Sequence, residues 1–114
     1  MIKLELADAT TATLLNIKRP AYVARQGADI IGLCTFTLDC PRVYITRLHY
    51  NDLSLADGLL RQVFSYAMEH FCLYAYWEDT LQPILLSLRF IENSDTLSIH
   101  IPAFFDKPCS GCSS

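Results

Sequence analysis

Charge is scarce in this chain, and clusters of positive charge are missing. Only 18% of the 114 residues are charged, acids outnumber bases and the net charge is −3. No basic run occurs anywhere, which argues against nucleic acid or an anionic membrane as partner. The opening Met1-Ile2-Lys3-Leu4-Glu5-Leu6 is charged and alternating, unlike the apolar stretch of a signal peptide. No apolar window approaches the roughly 20 residues needed to span a bilayer. Repeats, low-complexity tracts and linkers are absent too, so nothing divides the chain.

What is present is a core. Hydrophobic residues make up 52% of the sequence, enough at this length for one domain with a real interior and too many for disorder. The five cysteines, Cys34, Cys40, Cys72, Cys109 and Cys112, are an odd set, and Cys34 and Cys72 sit inside apolar runs. That pattern predicts reduced thiols in a cytoplasmic protein and not a disulfide framework.

Ile2, Leu4 and Leu6 alternate with Lys3 and Glu5, as in a strand with one covered face. Residues 7–16, rich in Ala and Thr, read equally as a helical turn or a loop. Ala21 to Arg25 and Ile30 to Leu38 flank Gln26-Gly27-Ala28-Asp29 and suggest a hairpin. After the break at Asp39-Cys40-Pro41, Val43 to Tyr50 resumes as a β-branched and aromatic strand. The strongest signal lies in residues 54–71, where Leu55, Leu59, Leu60, Val63, Phe64, Ala67, Met68 and Phe71 recur at helical spacing. Ser54, with Asp57 three residues on, suits the cap of that helix.

Cys72 to Tyr76 follows as a short strand. Asp79 or Thr80 is placed to cap a second helix, with Pro83 in its first turn and an end near Arg89. Thr96 to Ile101 closes the order as a last strand, with Pro102 ending it. The strand–helix–strand unit in mid-chain implies one parallel pair within an otherwise antiparallel, mixed sheet. The prediction is one α/β (α+β) domain over residues 1–102, followed by a tail over 103–114.

This order resembles the GNAT N-acetyltransferase superfamily, in a shortened form without the pair of helices that usually separates the first two strands. Tyr22 to Gly32 looks like the family's hairpin, and Val43 to Tyr50 like its central strand. Gly58-Leu59-Leu60 with the amphipathic helix is similar to the helix that receives the cofactor. Leu85-Leu86-Ser87-Leu88-Arg89-Phe90 resembles the ending Tyr-x-x-Leu-Gly-Phe. The likeness implies an acyl-CoA N-acyltransferase-like mixed sheet with two principal helices. It also implies transfer of an acyl group from acetyl-CoA to a primary amine. Coenzyme A would lie against Leu48 and Tyr50, with its pyrophosphate over Ser54, Leu55 and Ala56.

The positions that matter most to that chemistry depart from the family's pattern. Its phosphate loop, Gln/Arg-x-x-Gly-x-Gly/Ala, is matched by Asn51, Ser54 and Ala56, so a serine replaces a glycine that permits close approach. Asp52 and Asp57 add two carboxylates there. A like-charge pair about 4 Å apart costs about 4 kcal/mol at an effective dielectric of about 20, so acetyl-CoA binding is expected to be weak or absent. The family's leaving-group tyrosine falls at Leu85, and its glutamate base near Thr46. A replacement base would have to come from His49, Glu78 or Asp79, and the catalytic pair taken forward is His49 and Glu78.

Cys109-Ser110-Gly111-Cys112 supplies two of the four ligands zinc wants, with Cys40, His100 or a second subunit to complete the set. Inert thiols and a redox pair are the other readings. The aromatic group Phe71, Tyr74, Tyr76 and Trp77 reads as core and sheet packing. Two functions stay open: an acetyltransferase of weak or lost activity, and a non-catalytic module. Missing early helices should uncover a sheet face or edge, which a homodimer would cover.

Overall fold

A computed structural model describes residues 2–106. Strands β1 (Ile2–Leu6), β2 (Ala21–Gln26), β3 (Asp29–Asp39), β4 (Arg42–His49), β5 (Tyr74–Trp77) and β6 (Ile99–His100) form one sheet in sequence order. The pair β4 and β5 is parallel, with Arg42 opposite Tyr74 and Ile45 opposite Trp77. All other neighbours are antiparallel. Helix α2 (Leu53–Glu69) makes the crossover between β4 and β5. The mixed sheet expected from the strand–helix–strand pattern is therefore present.

Helix α2 lays Leu55, Leu59, Leu60, Val63, Phe64 and Ala67 on the sheet, all of them buried. They meet Tyr22 and Ala24 of β2, Cys34 and Phe36 of β3, and Val43 and Ile45 of β4. The alternate β2 residues Ala21 and Val23 face the other way, where a smaller cluster forms with Ala7 and Leu33. Helix α1 (Ala9–Leu15) lies between β1 and β2 and brings Leu15 to that cluster. The undecided stretch 7–16 is thus helical, because Asp8 caps its start by accepting from the Thr11 amide at 2.7 Å. That bond holds the Asp8 carboxyl below its usual range. One seven-residue helix stands where the longer relatives were expected to have two.

The cap of α2 corrects the sequence reading. Asp52, and not Ser54, is the N-cap, its Oδ1 accepting from the Leu55 amide at 2.8 Å. The helix also stops at Glu69, so Phe71 belongs to its exit and is 81% exposed. There the Cys72 amide donates to the Ala67 carbonyl at 2.8 Å and the Phe71 amide to Met68 at 3.0 Å. This is a Schellman ending with Phe71 at the left-handed position, φ 64°. The geometry recurs at Arg89, φ 62°, where Phe90 donates to Leu85 and Arg89 to Leu86, closing α3 (Gln82–Ser87). A left-handed backbone is unfavourable for phenylalanine, and its ring gains little in solvent. Phe71→Gly is therefore expected to stabilise the fold by about 0.5–1 kcal/mol, measured as a rise in the denaturation midpoint.

The chain's end also differs from expectation. Only Ile99–His100 form the last strand, and Pro102 lies in the first turn of helix α4 (Ile101–Asp106) instead of ending the structure. Proline suits that position because a first-turn amide has no intrahelical partner. Phe104 of α4 packs edge-on against Phe64 at 5.5 Å, and Arg61 sits over the Phe104 and Phe90 rings. Among the described residues no helix is long and apolar enough to cross a membrane.

Candidate functional site

The site expected at the carboxyl ends of the central strands is defined by a divergence. The Glu78 amide donates to the Ile45 carbonyl at 3.2 Å, the last link between β4 and the β5 side. Beyond it β5 turns into a 3₁₀ turn, Asp79–Leu81, while β4 continues to His49 paired with β3. Thr46 sits at the break in register, where Phe36 pairs with Ile45 but Thr35 pairs with Arg47. Such a bulge adds a residue to one strand and bends it. The Thr46 hydroxyl lies 2.8 Å from that of Thr35, so a structural hydroxyl pair stands near where the resemblance would put a glutamate base.

Of the residues assigned to cofactor contact, Leu48 is half-buried against the main core and Tyr50 is 37% exposed. Ser54 is exposed, whereas the Leu55 and Ala56 side chains are buried and can offer only their amides. Those amides are already engaged. The Leu55 amide donates to the Asp52 carboxylate, and the Ala56 amide to the Asp52 carbonyl at 3.2 Å. A protein carboxylate thus occupies the helix start that an anionic ligand would need.

Asp57 is different. Its carboxylate takes two bonds from Arg61 Nε, at 2.9 and 3.1 Å, so its charge is balanced one helical turn away. The two carboxylates expected together at this loop therefore differ, and the four-residue spacing from Asp57 to Arg61 is the sequence signal of that pairing. Asp52 caps the helix although Ser54, two positions on, is an equally good capping residue by type.

The positions expected to be catalytic are dispersed. His49 and Glu78 are both exposed. Glu78 is bonded at Ile45, and His49 lies four residues further along β4, roughly 13 Å at strand rise. Asp79 is exposed at the start of the 3₁₀ turn. Leu85, at the place of the family's tyrosine, is 1% exposed and part of the core. The aromatic group splits: Trp77 donates to Gln82 at 2.6 Å and packs on the core, and Tyr76 stacks on Tyr44. Tyr74, 39% exposed, lies against the exposed His100.

Cys40 and Cys72 bring their sulfurs to 2.7 Å, and the Cys40 thiol donates to the His70 carbonyl at 3.1 Å. Burial, with Cys40 alongside, pushes the Cys72 thiol up to about 12. Complete burial raises Cys34 as well. Among the described residues no group of three or more His, Cys, Asp or Glu could hold a metal ion, so the zinc reading gains no support from Cys40 or His100. Cys109 and Cys112 lie outside the described residues.

The sequence matches no protein-family model and no curated protein. Solved structures do match in shape. A probable acetyltransferase from Staphylococcus epidermidis superposes with a TM-score of 0.63 at 11% identity, covering 78% of this chain and 83% of that one. The ribosomal-protein-S18-alanine N-acetyltransferase of Escherichia coli gives 0.60 at 8% identity, covering 78% and 77%. An IAA acetyltransferase of Bacillus cereus gives 0.55 at 15% identity, covering 76% and 75%. What is shared at these identities is the fold. This chain has the acyl-CoA N-acyltransferase fold of the GNAT acetyltransferases.

Proposed function

We propose that this protein is an acetyltransferase-like module whose transfer activity is weak or lost and which acts by associating with a second copy of itself in the cytoplasm. The observation that carries this reading is the Asp52 carboxylate on the Leu55 amide, at the start of α2. A pyrophosphate placed there would have to displace that carboxylate and then remain beside it. The buried Leu85, which has no proton to give a leaving thiolate, and the hydroxyl pair at Thr46 point the same way. Titration calorimetry with acetyl-CoA tests the reading. Affinity weaker than about 100 μM, under roughly 5.5 kcal/mol of binding free energy, is expected. Low-micromolar binding would overturn it.

The divergence of β4 from β5 beyond Ile45 favours a second reading. In it, the opening still admits an acyl-CoA, and a primary amine attacks the thioester carbonyl with His49 or Glu78 taking its proton, the C–S bond breaks, and coenzyme A leaves as a thiolate that solvent protonates. Acetylation of a primary amine at a rate that falls in His49→Ala or Glu78→Gln would establish this reading over the first.

A further inference from the structure

Strand β1 is the edge of the sheet, and no described strand pairs with its outer side. Which of its polar groups face outward follows from one bond. The Ala7 amide donates to the Ala21 carbonyl at 2.8 Å, extending the β1–β2 register by one residue. Residues in an antiparallel ladder alternate in which side they bond. Ala7, Glu5 and Lys3 therefore turn their backbone groups toward β2, and Leu6, Leu4 and Ile2 turn theirs to the open edge.

We propose that this edge pairs with the same edge of a second copy, antiparallel about a two-fold axis at Leu4. Only that register matches every outward group with another. Leu4 then meets Leu4 of the second copy, and Ile2 meets Leu6, each as a hydrogen-bonded pair. The side chains agree with the backbone. Ile2 and Leu6, 46% and 43% exposed, become direct cross-strand neighbours on the α2 face of the sheet. On the other face Lys3 comes opposite Glu5 twice over. Lysine commonly guards a free edge, but a glutamate two residues away turns the guard into a complement of its own copy. Where α2 reaches β1 it presents Gly58, which has no side chain, to Leu4. Within its own copy Glu5 already pairs with Arg25 and lies 3.8 Å from Lys3, so the second copy's Lys3 would join an existing charge cluster.

The pairing deepens the reading of the chain as a self-associating module, and it is tested by mass in solution with no acetyl-CoA present. Sedimentation of the full chain is expected to show a dimer. Leu6→Pro removes an outward amide that no intrachain bond uses, so it should raise the dissociation constant at least tenfold while the circular dichroism melt holds. Lys3→Glu and Glu5→Lys should each do the same by placing like charges opposite. Mixing those two variants should restore a dimer, because one copy then carries acids at both positions and the other carries bases at both. Each cross-strand contact again sets an acid against a base.

The mixing result keeps the test independent of any one variant's folding. A dimer that survives all three substitutions would overturn the β1 interface while keeping self-association. A wild-type monomer at every concentration would overturn both, and the acetyl-CoA titration would stand apart from either result.

Discussion

Alanine at Gly32 is expected to lower stability by about 1–3 kcal/mol, a loss of about 5 °C or more in Tm. The reason is space. An added Cβ would stand 2.9 Å from the His49 carbonyl oxygen, 2.9 Å from Leu55 Cδ2 and 3.2 Å from Leu59 Cδ1. The leucine methyls can rotate away. The carbonyl belongs to β4, so it can give way only by easing β4 off β3 at Leu33 and His49. Interiors packed to crystal density have little slack for such a shift. Gly58 provides the contrast, for its Cβ would meet only Leu4 Cδ1 at 3.4 Å. Gly58→Ala should be neutral or stabilising, because alanine is the better helix former by about 1 kcal/mol. Thermal denaturation of both variants checks the pair, and a Gly32→Ala protein as stable as the parent would refute the close-approach argument. Gly32 is the point where β3, the end of β4 and the start of α2 converge, so it also sets the spacing of the candidate site.

The parts of the fold legible in the sequence were those specified by long-range periodicity. Eight apolar residues at helical spacing announced α2, and the strands on either side of it made a parallel β4–β5 pair the simplest arrangement. Ends were harder to read, because they are decided by single bonds. Phe71 continues the apolar rhythm of α2 although the chain has already turned left-handed there. Residues 9–15 carry no amphipathic stripe, and what makes them helical is the Asp8 cap and the Asn16 exit at φ 54°. Pro102 reads as a stop in a strand and as a start in a helix, and packing of Phe104 on Phe64 and Phe90 decides for the helix.

The divergence of β4 from β5 was legible in the strand–helix–strand order, and the electrostatic balance beside it was not. Whether a carboxylate repels a ligand, pairs with an arginine or caps a helix depends on bonds of about 3 Å. Asp52 and Asp57 look alike in sequence and do different things in the structure.

That difference leads to the decisive test of the closed helix start. Replacing Asp52 by glycine should strengthen acetyl-CoA binding at least tenfold, whereas Asp57→Asn should change it by less than about threefold, or about 0.7 kcal/mol. Glycine is chosen over asparagine because an asparagine side chain would still accept from the Leu55 amide and keep it occupied. Glycine frees the amide, removes the charge and suits an N-cap, with a stability loss of only about a few tenths of a kcal/mol. The freed amide then joins those of Leu53 and Ser54 at the positive end of a seventeen-residue helix, the arrangement that favours phosphate. Asp57 should matter less because its carboxylate bonds Arg61 and occupies none of the helix-start amides, and charges at the surface are screened by solvent. Calorimetry on the three proteins at fixed ionic strength reads the outcome. Equal gains from both substitutions would mean that net charge governs binding and the cap does not. No gain from Asp52→Gly would show that the seat is closed by the missing glycine at Ser54 or by the opening between β4 and β5, and not by the carboxylate.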